Sequence, residues 1–348
     1  MAVFRSAENP ILTPEDIAPS RDDFEVIGVF NAAVARYRDE VLLLMRVAER
    51  PVQTDPDGVV TAFLDPAQGR IVTTTFARSD PDNDFSDPRL IVRRGRTYLS
   101  SISHLRLARS ADGIHFTVGR HPALAPTESC ESFGMEDPRI TQIGQTYTIS
   151  YVAVSPLGVT TALASTGDFT AFQRHGVIFG PENKDVVLLP EPIDGRYYAL
   201  HRPHSPLCHR NDMWIAESPD LLCWGGHRHL MGTREGFWDE TRIGAGAPPV
   251  RTDAGWLEIY HAADRHDRYC LGAVLLDTRE PWKVLARSAE PVFQPQTEYE
   301  QAGFFGGVVF TCGLLCENQT LMIYYGAADT TIGYAEIPLA DVFASLSS

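Results

Sequence analysis

The chain has 348 residues, 44% of them hydrophobic, with 27 Gly and 24 Pro; that is enough apolar material for a sizeable core and more chain than the commonest domain size. Low hydrophobicity under a dominating charge, the signature of disorder, is excluded. Against 45 Asp and Glu stand 30 Lys and Arg, a net charge of −15, which repels nucleic acid and anionic membrane and excludes both as general partners.

The N-terminal MAVFRSAENPIL lacks the apolar stretch of a secretory signal. No run approaches the ~18 apolar residues of a membrane span. Cys130, Cys208, Cys223, Cys270, Cys312 and Cys316 are scattered and form no C-x-x-C. Reduced thiols in a cytoplasmic protein are the expectation.

From residue 30 onward one kind of segment recurs. FNAAVARYRDEVLLLMRV (30–47), DPRLIVRRGRTYLSSI (87–102), DPRITQIGQTYTISYV (137–152), DVVLLPEPIDGRYYAL (185–200), PPVRTDAGWLEIYHA (248–262) and GVVFTCGLLCENQTLMIYY (307–325) each read as a strand, a turn and a second strand. Their starts lie about 50 to 60 residues apart, a period that suits propeller blades. Between them, LRLARSADGIHFTV (105–118), VTTALASTGDFTAFQRHGVIF (159–179) and DMWIAESPDLLCWGG (212–226) read as outer strands: an apolar run, Ser or Thr, Asp with a turn residue, then an aromatic. PLADVFASL (338–346) is the one short helix expected. Periodicity alone allows five or six blades. No linker interrupts the series, so 1–348 is expected to be a single domain.

In a propeller, chemistry gathers where inner strands converge on the axis. The polar residues at those strand ends are Asn31, Arg46, Asp87, Arg89, Asp137, Arg139, Lys184, Asp185, Arg202, Arg242, His261 and Asp329. A strand-end Asp by itself more often caps a turn. Asp137, Asp185 and Asp329 at equivalent ends are a different matter, because a carboxyl near the axis can protonate a leaving group. Lys184, Arg202, Arg242 and His261 come from successive repeats. Converging on one cavity, they call for an anion, and Arg forks suit phosphate or carboxylate.

Other motifs fail. GAGAPP (244–249) lacks the third Gly and the helix of a dinucleotide loop. There is no G-x-S-x-G, H-E-x-x-H or Walker loop. His201, His204, Cys208 and His209 cluster in sequence, yet their spacing matches no standard zinc site. No metal is expected.

Nine segments stand out: NPILTPEDIAPSRDDFEVIGVFNAAV (9–34), LLLMRVAE (42–49), MEDPRI (135–140), NKDVVLLPEPIDGRYYALHRP (183–203), SPDLLCWGGHRHLM (218–231), WDETRIGAGAPPVRTDAGWLEIYHAAD (238–264), LGAVLLDTREPWKV (271–284), YEQAGFFGGVVF (299–310) and IYYGAADTTIGYA (323–335). Together they resemble glycoside hydrolase family 130, the mannoside phosphorylases and related mannosidases. They run in order over nearly the whole chain. The resemblance implies an all-β, five-bladed β-propeller, with the hairpin at 87–105 elaborating the first blade. It implies inversion at a β-mannoside, with Asp137 as general acid acting through a substrate hydroxyl. Asn31, Arg46 and Asp329 would hold the mannosyl unit, with Asp185 also on the substrate. Lys184, Arg202, Arg242 and His261 would hold phosphate. Where relatives often carry Ser, this chain has Ala32, so one minor polar contact is absent.

Hydrolytic members lose the basic site and activate water with carboxylates. All four basic positions are filled here, so phosphorolysis is expected, with inorganic phosphate as co-substrate and no other cofactor. The segments at 20–34 and 98–110 look most like members acting on β-1,2-mannobiose or β-1,2-oligomannan. His104, Arg106 and Tyr269 are the candidates for the acceptor subsite. Competing readings are a phosphorylase of β-1,4-mannosyl-glucose or β-1,4-mannosyl-N-acetylglucosamine, an inverting β-mannosidase, and a non-catalytic sugar-binding propeller. The expected partners are the mannoside, phosphate and further copies of the chain in a homo-oligomer.

Overall fold

The computed structural model describes residues 3–87, 89–205, 207–208 and 210–347. The protein is all-β, with helix confined to short pieces such as Glu298–Gln301 and Leu339–Ala344. The second of these falls inside the helix expected at 338–346.

Outside the insertion described below, five antiparallel groups of strands, here called sheets, follow one another along the chain, the first two being halves of one eight-stranded sheet. The first contains Phe24–Tyr37, Glu40–Pro51, Ile102–Ser110 and Thr117–Val118. The second contains Gly134–Ile143, Thr146–Ser155, Gly158–Thr166 and Gln173–Phe179. A single parallel bridge, Gly134 to Ser103, joins these two. The third contains Asn183–Leu188, Tyr197–Pro203, Met213–Ser218 and Gly225–Met231. In the fourth, Arg242–Gly244 and Val250–Thr252 both pair with Gly255–Ala263, followed by Tyr269–Leu276 and Val284–Ser288. The fifth contains Val309–Glu317, Thr320–Ala327 and Thr331–Pro338, with N-terminal Phe4–Arg5 added at its edge.

The hairpin signals in the sequence correspond to real turns. Asp194 and Gly195 sit at φ 49° and 76°, the pair of positive values that a two-residue turn needs to match strand twist. The outer Ser/Thr-x-Asp signal is a backbone cap: Asp112 Oδ1 accepts from the N–H groups of Ile114 and His115, and Asp220 Oδ1 from those of Leu222 and Cys223. Asp168 serves the same purpose between the strands at 158–166 and 173–179. These aspartates are structural.

Strand alternation distributes the core. On Gly255–Ala263, Leu257 and Ile259 pack with the fifth sheet, while Trp256, Tyr260 and Ala262 pack with the third. Further clusters join the first sheet to the second, the second to the third, and the first to the fifth.

Two segments depart from expectation. The hairpin read at 87–105 is divided. Leu90–Arg93 and Arg96–Leu99 belong to an insertion spanning 52–101, but Ile102–Ser110 is the third strand of the first sheet. The insertion also holds a hairpin, Gly58–Asp65 with Arg70–Ala77, that the repeat pattern misses. In the fourth sheet, the strand toward the cavity is Arg242–Gly244, upstream of the segment read at 248–262. The Gly-rich run allows close packing here: a Cβ on Gly246 would stand 2.2 Å from the Ile259 carbonyl.

The N-terminal strand is fastened by Arg5. Its guanidinium grips buried Glu300 through Nε at 2.7 Å and Nη2 at 3.1 Å. Arg5→Ala should therefore cost about 1.5–3 kcal/mol, the range for hydrogen bonds to a charged group; urea unfolding within 0.5 kcal/mol of the parent chain would contradict this.

Candidate active site

A cavity of about 290 Å³ is lined by residues from the leading strand of every one of the five sheets, or from the residue just before it. Asn31, Arg46, Asp137, Lys184, Asp185, Arg202, Arg242, His261, Tyr269 and Asp329 all face it. Ten side chains far apart in sequence are thus brought together.

Local backbone geometry aims them. Register shifts interrupt the leading strands between Phe30 and Ala33, Glu136 and Arg139, and Lys184 and Val187. Within these bulges Asn31, Asp137 and Asp185 adopt φ of 49°, 46° and 55°. Asp329, in the turn after Thr320–Ala327, is at 49°. Asn and Asp are the non-glycine residues that best tolerate this left-handed region, and a bulge re-aims a side chain out of the pleat.

The side chains form two groups. In the first, Arg46 Nη2 donates to Glu136 at 2.7 Å and Nη1 to Asp137 Oδ1 at 3.2 Å. Asn31 Nδ2 donates to the same Asp137 oxygen at 2.9 Å. The Arg46 guanidinium lies 4.7 Å above the Phe30 ring. Burial raises the carboxyls of Glu136 and Asp329, the latter to about 6, against the pull of Arg46. At Asp137 burial also pushes upward, but Arg46 and Arg139 prevail and hold it below its ordinary value.

In the second group, Asp185 Oδ2 lies 2.8 Å from Arg202 Nη1 and 3.2 Å from His261 Nε2. Burial opposes its charge, yet Arg202 and His261 keep Asp185 well below the carboxylate range. Arg242 donates to the Tyr269 hydroxyl at 2.9 Å and pairs with Asp267. Among the described residues no carboxylate lies within ion-pair distance of Lys184.

Two expectations need correction. His261 is fully buried, and burial pushes its imidazole down to about 4 despite Asp185. At neutral pH it is a neutral imidazole, and the cations of this group are Lys184, Arg202 and Arg242. His104 and Arg106 do not line the cavity. They pair in register with Val47 and Met45, on the face of the first sheet opposite to Arg46. There they are buried beside Glu49, and Arg106 donates to the Ala18 carbonyl at 2.6 Å. Tyr269 does reach the cavity, but beside Arg242.

Some lining residues escaped the sequence reading. Glu136 is one: the adjacent acids of MEDP mark it in the sequence, and it lines the cavity beside Asp137. Arg89, singled out only as a strand-end polar residue, comes from the insertion and places its guanidinium 5.0 Å from the Phe305 ring. Phe305 itself carries no pattern that marks it. His209, once weighed as a zinc ligand, lies outside the described residues. No group of three or more His, Cys, Asp or Glu among the described residues is arranged to hold a metal ion.

Crowded carboxyls and a set of cations lining one sugar-sized cavity are the equipment of a glycoside-cleaving enzyme. The family model described as beta-1,4-mannooligosaccharide phosphorylase matches residues 87–347. The chain is 46% identical over 350 residues to the beta-1,2-mannobiose phosphorylase of Listeria innocua, covering 99% of each sequence. The solved structure of that enzyme with beta-1,2-mannobiose superposes with a TM-score of 0.96 over 99% of each chain. The 1,2-beta-oligomannan phosphorylase of a Thermoanaerobacter species is 39% identical over 248 residues, 70% of this chain and 82% of that one. The chain belongs to glycoside hydrolase family 130.

Two outcomes follow from the packing of the second group. A Cβ on Gly244 would stand 2.3 Å from Asp185 Oδ2 and 2.6 Å from His261 Nε2, so Gly244→Ala should destabilise by about 1–3 kcal/mol through overpacking; an unchanged urea midpoint would contradict it. Because the folded value for His261 lies below its ordinary one, the stability linked to it is complete above the unfolded value of ~6.5 and is lost as pH falls toward about 4. Its ring should remain neutral in NMR titration from pH 8 to 5.5, and a midpoint near 6.5 would refute the assignment.

Proposed function

We propose that the chain catalyses inverting phosphorolysis of β-1,2-linked mannobiose or short β-1,2-mannooligosaccharides, giving α-D-mannose 1-phosphate and the shortened sugar. The observation that carries this reading is that Lys184, Arg202 and Arg242 line one cavity together with the Asp137 group. The 46% identity over the full chain to a beta-1,2-mannobiose phosphorylase supports the linkage.

In this reading Asn31, Arg46 and Asp329 hold the mannosyl unit. Phosphate is held by Lys184, Arg202 and Arg242, with His261 as a neutral hydrogen-bonding partner. A phosphate oxygen forms its bond to the anomeric carbon from the face opposite the leaving sugar while the glycosidic C–O bond breaks. The leaving oxygen takes a proton that originates at Asp137 and passes through a substrate hydroxyl. Hydrogen phosphate gives up one proton in becoming the ester, so the acid is restored each cycle.

Asp137 is ionised in the free cavity and must gain a proton before it can act. Three carboxyls, Glu136, Asp137 and Asp329, surround Arg46. Entry of an anion beside them adds negative charge, which raises carboxyl pKa values and favours protonation of the group. Hydrolysis would need a base near the cations. Asp185 is the carboxylate located there, and its own cations make it a weak one. Phosphate needs no such base; it needs neutralising and aiming.

The scaffold fits a five-bladed β-propeller, the five sheets as blades and the 52–101 insertion elaborating the first. The cyclic order of core clusters, first sheet to second through to fifth and back to first, supports it. Cytoplasmic location and assembly into a homo-oligomer complete the proposal; buried free Cys270 and Cys312 suit a reducing compartment.

With β-1,2-mannobiose, mannose 1-phosphate should form only when phosphate is added; equal release of free mannose with and without phosphate would sink the reading. Asp137→Asn keeps the shape and the tolerance of positive φ but removes the acid, and kcat should drop roughly 10²–10⁴-fold. Arg202→Ala should weaken apparent phosphate affinity by about 1.5–3 kcal/mol with a much smaller change for the disaccharide. A change confined to sugar affinity would contradict the division of the cavity.

A further inference from the structure

Arg139 lies beneath the cavity without lining it. It is 1% exposed, yet its donors are well used. Nη1 donates to the backbone carbonyl of Asp137 at 3.0 Å. Nη2 donates to Asp185 Oδ1 at 3.3 Å and to the Ala245 carbonyl at 3.0 Å. Nε donates to the Gly246 carbonyl at 2.9 Å. One guanidinium therefore fastens the bulge of the second sheet, the bulge of the third and the Gly-rich run of the fourth.

We propose that Arg139 is a positioning residue that couples the acid half of the cavity to its phosphate half. Resting on the phosphorylase reading above, this names the part that makes the two halves one site. The connection runs from the Asp137 peptide through Arg139 to Asp185, and from the other Asp185 oxygen to Arg202 and His261. Both bulge residues are held at positive φ, 46° at Asp137 and 55° at Asp185, a backbone state that persists when its surroundings over-determine it. The fork geometry matters. A lysine would supply the charge from a single nitrogen and could not span acceptors on three sheets.

The mannosyl side chains Asn31, Arg46 and Asp329 make no hydrogen bond to Arg139, so a defect here has a distinctive signature. In Arg139→Lys and Arg139→Gln, kcat on β-1,2-mannobiose should fall at least tenfold and the KM for phosphate should rise several-fold. The KM for mannobiose should stay within twofold. In Arg139→Gln the loss of a cation beside Asp137 lets that carboxyl keep its proton to higher pH, so the alkaline limb of kcat/KM should move upward. Calorimetric titration of inorganic phosphate into each protein without sugar gives a second readout, expected to weaken in both variants.

Folded variants with parental phosphate affinity, kcat and pH profile would overturn the proposal. So would a loss explained wholly by a reduced folded fraction, with the pH profile of the remaining activity unmoved. Should Arg139→Gln fail to fold, the same measurements on Arg139→Lys decide, and a folded Arg139→Lys with parental phosphate affinity and kcat is equally fatal. Failure of the parent chain to turn over mannobiose with phosphate would refute the phosphorylase reading instead, and the phosphate titrations would still judge Arg139.

Discussion

The cavity depends on backbone that leaves the regular strand conformation in the left-handed direction. A leading strand that kept its pleat would alternate its side chains between its two faces, and short side chains such as Asn31, Asp137 and Asp185 would pack against neighbouring sheets instead of reaching the cavity. The bulges at Asn31, Asp137 and Asp185 break that alternation at equivalent depths. Each such residue carries local strain of roughly 1–3 kcal/mol, lessened because Asn and Asp tolerate the conformation. At these three positions the polar side chain and the backbone that aims it belong to the same residue.

That convergence creates an electrostatic problem which the surrounding groups solve locally. Charges taken out of water must be paired and hydrogen-bonded. Arg46 serves Glu136 and Asp137, while Asp185 serves Arg139 and Arg202. The net −15 of the chain is a property of its exterior and its total, and it governs encounters with large polyanions. It does not forbid a small anion inside, because Lys184, Arg202 and Arg242 act over a few ångströms within the cavity.

Much of this was legible in the sequence because it follows from local rules. Strand, turn and strand, with Asp at the outer turns, gave the sheets and their order, and the strand-end polar residues gave most of the lining. What escaped required long-range knowledge. His104 and Arg106 sit near Arg46 across the ladder, but parity places them on the other face, and parity is only as good as the register. The insertion from 52 to 101 carries no repeat to announce it. Glu136 hid behind its neighbour, and Phe305 arrives from a loop whose path depends on the fold around it. The charge of His261 is the subtlest case. Its identity and position were readable, whereas its neutrality follows from burial among Phe310, Tyr269 and Arg202.

A neutral His261 changes how the anion site works. With Asp185 already drawing on Arg202 and Asp267 on Arg242, two of the three cations are partly neutralised by the protein itself and Lys184 carries the surplus positive charge. On the proposed reading, such a site would hold phosphate less tightly than three wholly unpaired cations, which suits release of a phosphate ester in a reversible reaction. The stronger interaction is kept for the moment when negative charge builds between the carboxyl group and the cations, since only contacts that strengthen in the transition state accelerate the chemistry. On this argument the buried carboxylate among the cations is part of the catalytic design, because it limits ground-state binding while leaving the guanidinium of Arg202 correctly aimed.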